Sequence, residues 1–554
     1  MTEIDPITVS VIQHRLAGIV EEMGEAMLRT SFSQILNSSR DFSTAICGAD
    51  SRLIAQAEHI PVHVGALPSG VAAVREAFGD DIHPGDIFLL NDPCFGGSHL
   101  PDLTTFVPVF FGSRPAFWTV NRAHHSDIGG ATHGAYNAAA TEIWHEGLRV
   151  PPIRLVERDQ QRNDLLRMLK ANVRHPRDFE GDLSAQIGSV RVGERRLQQL
   201  VEEFGEETVE RSVERILDAT EKQVRAIIEQ WADGVYQGEA LLDDDGRGNE
   251  DIAIRAAVTV RGSNLTVDLR ESAPQVTSFL NSSYANMRSA VAMAVAFLVD
   301  PEVPKNDGAM RPVEILARPG TIVYANPGAP VTLCTSHCAQ EIVEAIIVAL
   351  SAACPERAMA GWGRRLRIAI KGTDPRNGRA FIWHLFHARP GAGASAGGDG
   401  WHNAGEWHSA GGLKFGSVEV AEVRFPLFFA HHEFRPNSGG DGQFAGGSGC
   451  DLELTLETEG DSVANTAGDG VRHGPRGLMG GQDGEPHRYL LRSPGERPRV
   501  LGSKEEGIPV PPGSTFEVHS AGGGGWGNPA DRRPEALRRD RRDGVVTRRR
   551  RASS

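Results

Sequence analysis

The chain has 554 residues, enough for several domains of the usual ~100–200 residues, and its 40% hydrophobic and 23% charged content excludes fibrous and wholly disordered classes. The formal charge is −14, although residues 531–554 contain ten Arg and only four acidic residues, so the body that precedes them is strongly acidic. An acidic body argues against a general nucleic-acid-binding protein, and no nucleic-acid partner is expected.

Targeting signals are not apparent along the chain. The longest apolar run, 290–299, has ten residues, whereas about 20 are needed to span a bilayer. The opening Met-Thr-Glu-Ile-Asp-Pro does not resemble a signal peptide, and six scattered Cys do not form a disulfide framework. We therefore expect a cytoplasmic protein without a membrane partner. Residues 530–554 are expected to form a disordered Arg-rich tail, with polyanion binding as the less favoured alternative.

The first predicted region covers residues 1–180. Apolar residues recur at helical spacing over 6–30, which predicts an amphipathic helix that begins at a proline. Short apolar runs at 87–90, 106–111 and 118–120 follow, each bounded by Gly, Pro, Asn or Asp, and they predict buried strands. This N-terminal α/β part carries the densest polar cluster of the chain.

A helical arm is predicted for 181–240, as two helices that meet at Gly205. Its apolar stripes and acidic faces suit either subunit association or the outer layer of a domain. A β-rich region is predicted for 241–529, with a hairpin over 254–269, helices near 284–299 and 338–354, and many short strands after them. The expected fold class is α+β, a large multi-layer mixed fold.

The polar cluster at 91–130 contains side chains that suit a metal ion. His99 and Asp102 lie three residues apart in a Pro-containing loop, and the predicted strands at 106–120 return the chain so that His124 approaches them. Imidazole with carboxylate suits Zn, Mn or Fe, so a three-ligand site in a surface cleft is one interpretation, with Asp41 as a candidate fourth ligand. Ordinary turn chemistry and hydrogen-bonded core histidines are the alternative.

Other sequence patterns point to chemistry less clearly. The Gly-rich strings at 438–442 and 522–527 lack the Lys-Ser/Thr of a P-loop, so turns are favoured over phosphate binding. Cys334 and Cys338 with His337 between them have no second Cys/His pair at zinc-finger spacing, which favours a buried structural pair. A nucleophile elbow between strand and helix is not apparent.

A series of motifs in fixed order, from residue 40 to residue 529, resembles the hydantoinase B/5-oxoprolinase family, which also contains the acetone carboxylase alpha subunit. The motifs are Arg40-Asp41-Phe42-Ser43, His63-Val64-Gly65, Gly85-Asp86, Asn91-Asp92-Pro93, Gly97-Ser98-His99-Leu100-Pro101-Asp102, His124-His125-Ser126-Asp127-Ile128-Gly129-Gly130, Gly181-Asp182-Leu183, Asn306-Asp307-Gly308, Arg311-Pro312, Ser438-Gly439-Gly440, Gly446-Gly447 and Gly522 to Pro529.

The resemblance implies a B-type subunit that carries a divalent metal (Mn or Zn, with Fe as a further option) and works with an A-type subunit that uses ATP. It implies His99, Asp102 and His124 as ligands, with Asp41 a less certain addition. Asp127 or His125 would then act in catalysis by orienting a water or a ligand imidazole. Cys94-Phe95 and the Gly-, His- and Trp-rich stretch 391–415 depart from the family pattern, so the substrate stays open.

The expected activity is ATP-dependent opening of a hydantoin, N-methylhydantoin or 5-oxoproline-like cyclic amide within a hetero-oligomer. Phosphorylation of the amide oxygen by the partner would create a leaving group for this subunit to displace. Two alternatives stay open. One is an alpha-type subunit of an ATP-dependent acetone or aryl-ketone carboxylase, and the other is a non-catalytic scaffold for the ATP-using partner.

Overall fold

The helices and strands follow the apolar periodicity of the sequence along most of the chain. A computed structural model describes residues 4–57, 59–412, 414 and 417–547. Within these residues no helix is long and apolar enough to cross a membrane. The chain divides into two units, the first comprising Met1–Gln237, Arg255–Ile346 and Gly412–Lys414, and the second Gly238–Ile254, Ile347–Gly411 and Phe415–Ser554.

The described residues contain the following α-helices and β-strands in chain order. The helices are α1 Pro6–Thr30, α2 Gln34–Asn37, α3 Leu67–Phe78, α4 Asn163–Ala171, α5 Pro176–Phe204, α6 Glu206–Ile228, α7 Tyr284–Leu298, α8 Asp307–Met310, α9 Cys338–Leu350, α10 Val418–Arg424 and α11 Pro534–Arg542. The strands are β1 Phe42–Gly48, β2 Leu53–Ala57, β3 Ile87–Leu90, β4 Asp102–Phe111, β5 Arg114–His124, β6 Ile153–Glu157, β7 Gln160–Gln161, β8 Gly234–Asp244, β9 Glu250–Arg261, β10 Asn264–Asp268, β11 Val313–Leu316, β12 Ile368–Asp374, β13 Arg379–His384, β14 Leu427–Phe434, β15 Cys450–Leu456, β16 Ser462–Thr466, β17 Arg488–Arg492, β18 Arg499–Val500, β19 Ile508–Val510 and β20 Thr515–His519.

The first unit is built on a seven-stranded antiparallel sheet of order β2-β1-β5-β4-β3-β6-β7. Successive side chains of a strand point to opposite faces. Ile46 of β1 accordingly belongs to the core that α1, α5 and α6 cover, whereas its neighbours Ala45 and Cys47 belong to the core that α3 covers. Helices on both faces explain why β4 and β5 are buried over most of their length.

The predicted helical arm is an outer layer of the first unit. α5 ends at Gly205, whose φ of 81° is the left-handed conformation that glycine adopts readily, and α6 begins directly after it. The apolar stripes of both helices are buried in one cluster with α1, and its members include Ile12, Leu16, Ile19, Leu197, Leu200, Val209, Val213 and Ile216. Because this stripe is covered within the unit, the outer-layer interpretation is favoured over subunit association.

The division of the chain differs from the expected boundaries. The boundary expected at 180/181 lies inside α5, and residues 255–346 belong to the first unit although they were expected in the C-terminal region. The physical reason is packing, since α7 lies against the segment 61–66 of the first unit. A four-stranded sheet of order β11-β10-β9-β8 includes the hairpin β9–β10 predicted over 254–269.

The second unit contains two antiparallel sheets of order β13-β12-β16-β19 and β14-β15-β20-β17-β18. Side chains from both sheets form one buried cluster, which includes Ile368, Ile370, Trp383, Ala464, Leu452, Leu454, Phe516 and Val518. This sandwich confirms the expected α+β class with strands dominating towards the C-terminus.

A glycine-rich layer accompanies the sandwich and consists of the segments 391–400, 439–449, 474–484 and 522–525. These segments lie outside the helices and strands, yet they exchange backbone hydrogen bonds, for example from Gly523 N to Gly447 O and from Gly440 N to Gly523 O. A Cβ atom on Gly523 would lie 1.8 Å from the carbonyl oxygen of Ala392. Turns were expected here, but close backbone approach explains these glycines.

The Arg-rich segment begins with ion pairs and a helix. Arg532 lies against Asp399 and Asp540, with Nη1 to Asp399 Oδ1 at 2.6 Å and Nη2 to Asp540 Oδ2 at 2.8 Å, and α11 follows directly. These ion pairs involve residues of the segment 530–554, for which disorder stays a prediction. The run Arg548–Arg551 lies outside the described residues.

Candidate metal centre

The candidate ligands meet at one edge of the seven-stranded sheet. Asp102 is the first residue of β4 and His124 the last of β5, and the antiparallel register pairs them directly. β1 lies on the other side of β5, where Asp41 O accepts a hydrogen bond from His124 N at 3.0 Å. The return of the chain that the sequence predicted therefore does bring His124 beside the His99–Asp102 loop.

Three ligand-type atoms converge at this edge. His99 Nε2 lies 2.8 Å from Asp102 Oδ1 and 3.2 Å from His124 Nδ1, and His124 Nδ1 lies 3.1 Å from the same carboxylate oxygen. Within the described part of the chain, these residues form the one group of His, Cys, Asp or Glu whose ligand atoms lie within 4.8 Å of one another. All three side chains are buried, so the site is an interior one and not the expected surface cleft.

The donor set fits a cation. His99 Nδ1 is hydrogen-bonded to the carbonyl oxygen of Thr332, which can only accept, so Nδ1 carries a proton and Nε2 is the ring nitrogen that faces the cluster. That nitrogen faces a carboxylate oxygen and His124 Nδ1, and these three atoms can share a proton or bind a metal ion. Two nitrogens with one oxygen suit Zn, Mn or Fe.

Electrostatics around Asp102 favour its ionised form. Burial opposes the charge, but His99 and His63 nearby hold the pKa of this carboxyl well below its usual range. Burial likewise opposes protonation of His99, yet Asp102 and the Thr332 carbonyl raise the pKa of that imidazole above its usual value. The remaining carboxylate oxygen, Asp102 Oδ2, accepts from the Ser98 hydroxyl. Oδ1 is thereby left directed at the two histidines.

Arg122, fully buried on β5, supports the loop that carries Ser98. Its Nε donates to Thr104 Oγ1 at 2.8 Å and its Nη2 to Gly96 O at 3.1 Å. Burial lowers the pKa of Arg122 to about 10, with the Asp102 charge opposing that shift. Arg122 therefore adds a buried positive charge beside the carboxylate while it fixes the backbone of the loop.

His63 is a further residue of the site, although the sequence did not indicate it as a candidate ligand. Its Nε2 lies 3.6 Å from Asp41 Oδ1 and 3.6 Å from Asp102 Oδ2, so it bridges the predicted fourth ligand and the cluster. Burial lowers its pKa to about 4, with Asp102 opposing. Asp41 is thus adjacent to the three converging residues without being one of them. The motif His63-Val64-Gly65 was the available signal.

Tyr136 was also missed, and it contacts the outer edge of His124. The Tyr136 hydroxyl oxygen lies 3.4 Å from His124 Nε2, and the two rings are nearly parallel with their centroids 6.3 Å apart. The two ring nitrogens of His124 therefore face different partners, Nδ1 the cluster and Nε2 the phenol. Nothing in the residues around 136 marked this loop position beforehand.

His125 and Asp127 direct their side chains away from the cluster. His125 Nε2 lies 2.8 Å from Gln186 Oε1 on α5, and its ring contacts Phe179. Asp127 pairs with the Arg174 guanidinium, Nη1 to Oδ1, at 2.8 Å. Among the described residues no hydrogen bond joins either side chain to His99, Asp102 or His124, so their catalytic role stays a prediction.

Cys334 and Cys338 are both buried free thiols. Cys334 Sγ is directed at Ser98 O at 3.4 Å, and Cys338 Sγ at Ile322 O at 3.6 Å. Burial raises the pKa of both thiols well above the usual range. Such protonated, inward-facing thiols agree with structural residues.

Known proteins resemble this chain over its whole length. It is 35% identical to the caprolactamase subunit beta of Pseudomonas jessenii, over 99% of this chain and 95% of that protein. It is 30% identical to the 5-oxoprolinase PfmaA of Pestalotiopsis fici, over 95% of this chain and 42% of that longer protein.

Solved structures show the same architecture. The crystal structure of the ATP-dependent caprolactamase from Pseudomonas jessenii superposes with a TM-score of 0.92 at 33% identity, covering 99% of this chain and 95% of that one. A nucleotide-free acetone carboxylase superposes with a TM-score of 0.87 at 20% identity, covering 98% and 78%, which shows a shared fold. The profile of the Hydantoinase B/oxoprolinase family matches residues 5–529. The chain therefore belongs to the hydantoinase B/oxoprolinase family.

Proposed function

We propose that this chain is the metal-dependent subunit of an ATP-dependent amidohydrolase that opens a cyclic amide together with an A-type, ATP-using subunit. The observation that carries the proposal is the convergence of His99 Nε2, Asp102 Oδ1 and His124 Nδ1 at one buried point of a hydantoinase B/oxoprolinase family chain. The names of two relatives support the opening of a cyclic amide, since one is a caprolactamase subunit and the other a 5-oxoprolinase.

The residues divide into ligands and groups that orient them. His99, Asp102 and His124 would hold a divalent ion (Zn, Mn or Fe), and Asp41, the residue just before β1, would join them. When bound, such an ion polarises a carbonyl and lowers the pKa of a coordinated water to about 7. His63 lies between Asp41 and Asp102, with its Nε2 3.6 Å from an oxygen of each, and it would orient these two carboxylates.

The segment that follows His124 is fixed by its own contacts. His125 N donates to Pro101 O at 2.8 Å, and its side chain is hydrogen-bonded to Gln186. Asp127 accepts from both the backbone and the guanidinium of Arg174. We therefore propose that His125 and Asp127 act by positioning the ligand-bearing backbone.

The chemistry explains why a second subunit is needed. A ring amide is stabilised by resonance, and phosphorylation of its oxygen removes that resonance and makes the carbon easier to attack. Water adds at the carbon, the ring C–N bond breaks as the nitrogen leaves as a protonated amine, and a second water hydrolyses the resulting acyl phosphate to the acid and phosphate. A caprolactamase relative described as ATP-dependent, with a beta subunit, agrees with this division of labour. The A-type partner would therefore bind and use ATP, and this chain would complete ring opening.

The substrate class is a cyclic amide. Hydantoin, N-methylhydantoin and 5-oxoproline are the proposed types, and the caprolactamase relative adds a plain lactam with the same endocyclic C–N bond. The ketone carboxylase alternative rests on a likeness of fold alone. The scaffold alternative predicts a chain without metal-dependent activity.

One experiment separates these three functions. The chain is co-purified with its A-type partner, metal is measured, and product is followed for a cyclic-amide panel and for acetone with labelled bicarbonate. We expect one or two divalent ions per chain and ATP-dependent ring opening without label in the product. His99→Ala and His124→Ala should remove both metal and activity, whereas His83→Ala, a half-buried histidine paired with Asp81, should keep both. Full activity in metal-depleted His124→Ala would overturn the proposal, and label in a ketone-derived acid would establish the carboxylase.

A further inference from the structure

Glu146 is a buried carboxyl group that the proposed reaction does not use. Burial raises its pKa to about 7, and hydrogen bonds from Val331 and Thr332 oppose that shift. Glu146 follows a short 3-10 turn, Ile143–His145, and is 2% exposed. Its two oxygens accept hydrogen bonds from two consecutive backbone N–H groups, Val331 N at 2.9 Å and Thr332 N at 2.8 Å. A carboxylate that accepts two adjacent peptide N–H groups fixes the position of the intervening backbone.

The backbone that Glu146 fixes is the one that orients His99. The Thr332 carbonyl oxygen accepts from His99 Nδ1, which leaves Nε2 directed at Asp102 and His124. A histidine ligand is generally oriented by the hydrogen bond of its other ring nitrogen. Glu146, the Thr332 peptide and His99 therefore form one continuous hydrogen-bonded path that ends at the three converging ligand atoms.

The segment around Thr332 depends on such anchors because it belongs to no helix or strand. Asn281 Nδ2 donates to Pro330 O at 3.0 Å, and Asn286 Nδ2 donates to Cys334 O at 3.0 Å. Both of these bonds hold carbonyl groups on either side of Thr332. Glu146 alone among these three side chains accepts from the N–H groups between them.

We propose that Glu146 is a positioning residue that sets the tautomer and orientation of His99 through the Thr332 peptide. The inference rests on the proposed function in one respect, namely that His99 is a metal ligand. Two donors require two acceptors, so a carboxylate suits this position better than an amide. Gln at 146 would present one oxygen and one NH2 group, and the NH2 group would face a backbone N–H.

The test compares Glu146→Gln with a matched control in the intact chain. Asp86 is equally buried and also accepts two backbone N–H groups, from His83 and Arg158, at 2.9 Å each, but it does not contact the cluster. Zn²⁺ and Mn²⁺ affinities are measured by chelator competition for wild type, Glu146→Gln and Asp86→Asn. We expect about 10–100-fold weaker binding for Glu146→Gln, as is typical when a partner of a metal ligand is lost. Asp86→Asn should bind like wild type.

A second readout is independent of metal. In the metal-free protein with 15N-labelled histidine, at a pH high enough that the His99 ring is neutral, the His99 resonances, assigned with His99→Gln, should report a proton on Nδ1, and Glu146→Gln should mix the two tautomers. If wild type binds no ion, the metal site is refuted and this spectrum decides the role of Glu146 by itself.

Unchanged affinity together with an unchanged tautomer in Glu146→Gln would overturn the proposal. If that variant does not fold, Glu146→Asp takes its place, because it keeps both acceptors but shortens the reach by one methylene. The same loss of affinity and the same mixing of tautomers are expected for it, and wild-type behaviour in both measurements would overturn the proposal.

Discussion

Replacement of Gly523 by alanine tests whether the glycine-rich layer of the second unit is held by close backbone approach. The new Cβ would lie 1.8 Å from Ala392 O, an atom of another segment's backbone that cannot rotate away. Relief of that overlap requires a shift of more than 1 Å, since real Cβ atoms essentially never approach within 3.0 Å of another heavy atom. The segment 522–525 would have to move as a whole.

The magnitude follows from the contacts of Gly523. Its N donates to Gly447 O and its carbonyl accepts from Gly440 N, both at 2.8 Å. Loss of two such hydrogen bonds costs about 1–3 kcal/mol, and overpacking adds about 1–3 kcal/mol. The expected destabilisation is therefore about 2–6 kcal/mol, which is a large share of the ~5–15 kcal/mol that holds a typical domain. At ~2–4 °C per kcal/mol for a domain of this size, the melting temperature should fall by about 10 °C.

The assay is thermal unfolding of the whole chain, with Gly398→Ala as the matched control. A Cβ at Gly398, in the same unit, would meet nothing within 4 Å, so its melting temperature should stay within about 2 °C of wild type. If the melting temperatures of Gly523→Ala and Gly398→Ala were the same, the close-approach explanation would be refuted, and turn formation would be the better explanation for these glycines.

Two further outcomes are expected from the second unit. Burial lowers the pKa of His487 from 6.5 to about 4, so the folded state is most stable above pH 6.5, where the ring is neutral, and loses stability as the pH falls towards 4. Between pH 7 and pH 5, the free energy of unfolding measured in urea should therefore decrease by about 2 kcal/mol more for wild type than for His487→Gln. Arg532→Met should release α11 and raise hydrogen exchange over 534–547, whereas Arg538→Met, an exposed residue paired only with Glu535 among the described residues, should not.

Local patterns predicted the elements that place the site. Helical spacing of apolar residues located α1, and short apolar runs bounded by turn residues located β3, β4 and β5. Because β4 and β5 form a hairpin, the position of His124 opposite Asp102 followed from the chain direction alone. The three candidate ligands could therefore be predicted from one short segment.

Residues that reach the site from distant segments could not be predicted in the same way. Thr332 contributes a backbone carbonyl, which every residue type has, so the sequence could not indicate it. His63 comes from a turn ahead of α3. Burial of the cluster depends on helices that cover both faces of the sheet, and that closure is a property of tertiary packing. Gly523 shows the same limit, since its neighbours Ala392 and Gly447 are far from it in sequence.

The glycine-rich strings bear on where ATP acts. A phosphate-binding loop needs backbone N–H groups that are available to the ligand and a nearby lysine, and no Gly-Lys pair occurs in the 554 residues. In the strings themselves, Gly440 N donates to Gly523 O, Gly524 N to Gly361 O, and Gly525 N to Gln482 O. These N–H groups are thus already used within the second unit.

We therefore expect the isolated chain to hydrolyse no ATP and to open a ring amide only slowly, because an amide that has not been phosphorylated keeps its resonance stabilisation. Metal-loaded chain, A-type partner and ATP are mixed and each is omitted in turn, with a cyclic amide as substrate. Turnover should require all three components, and omission of ATP should lower it to the level without partner. Rapid ring opening by the isolated chain without ATP would show instead that the buried His99, Asp102 and His124 centre is sufficient alone, and the division of labour between two subunits would fail.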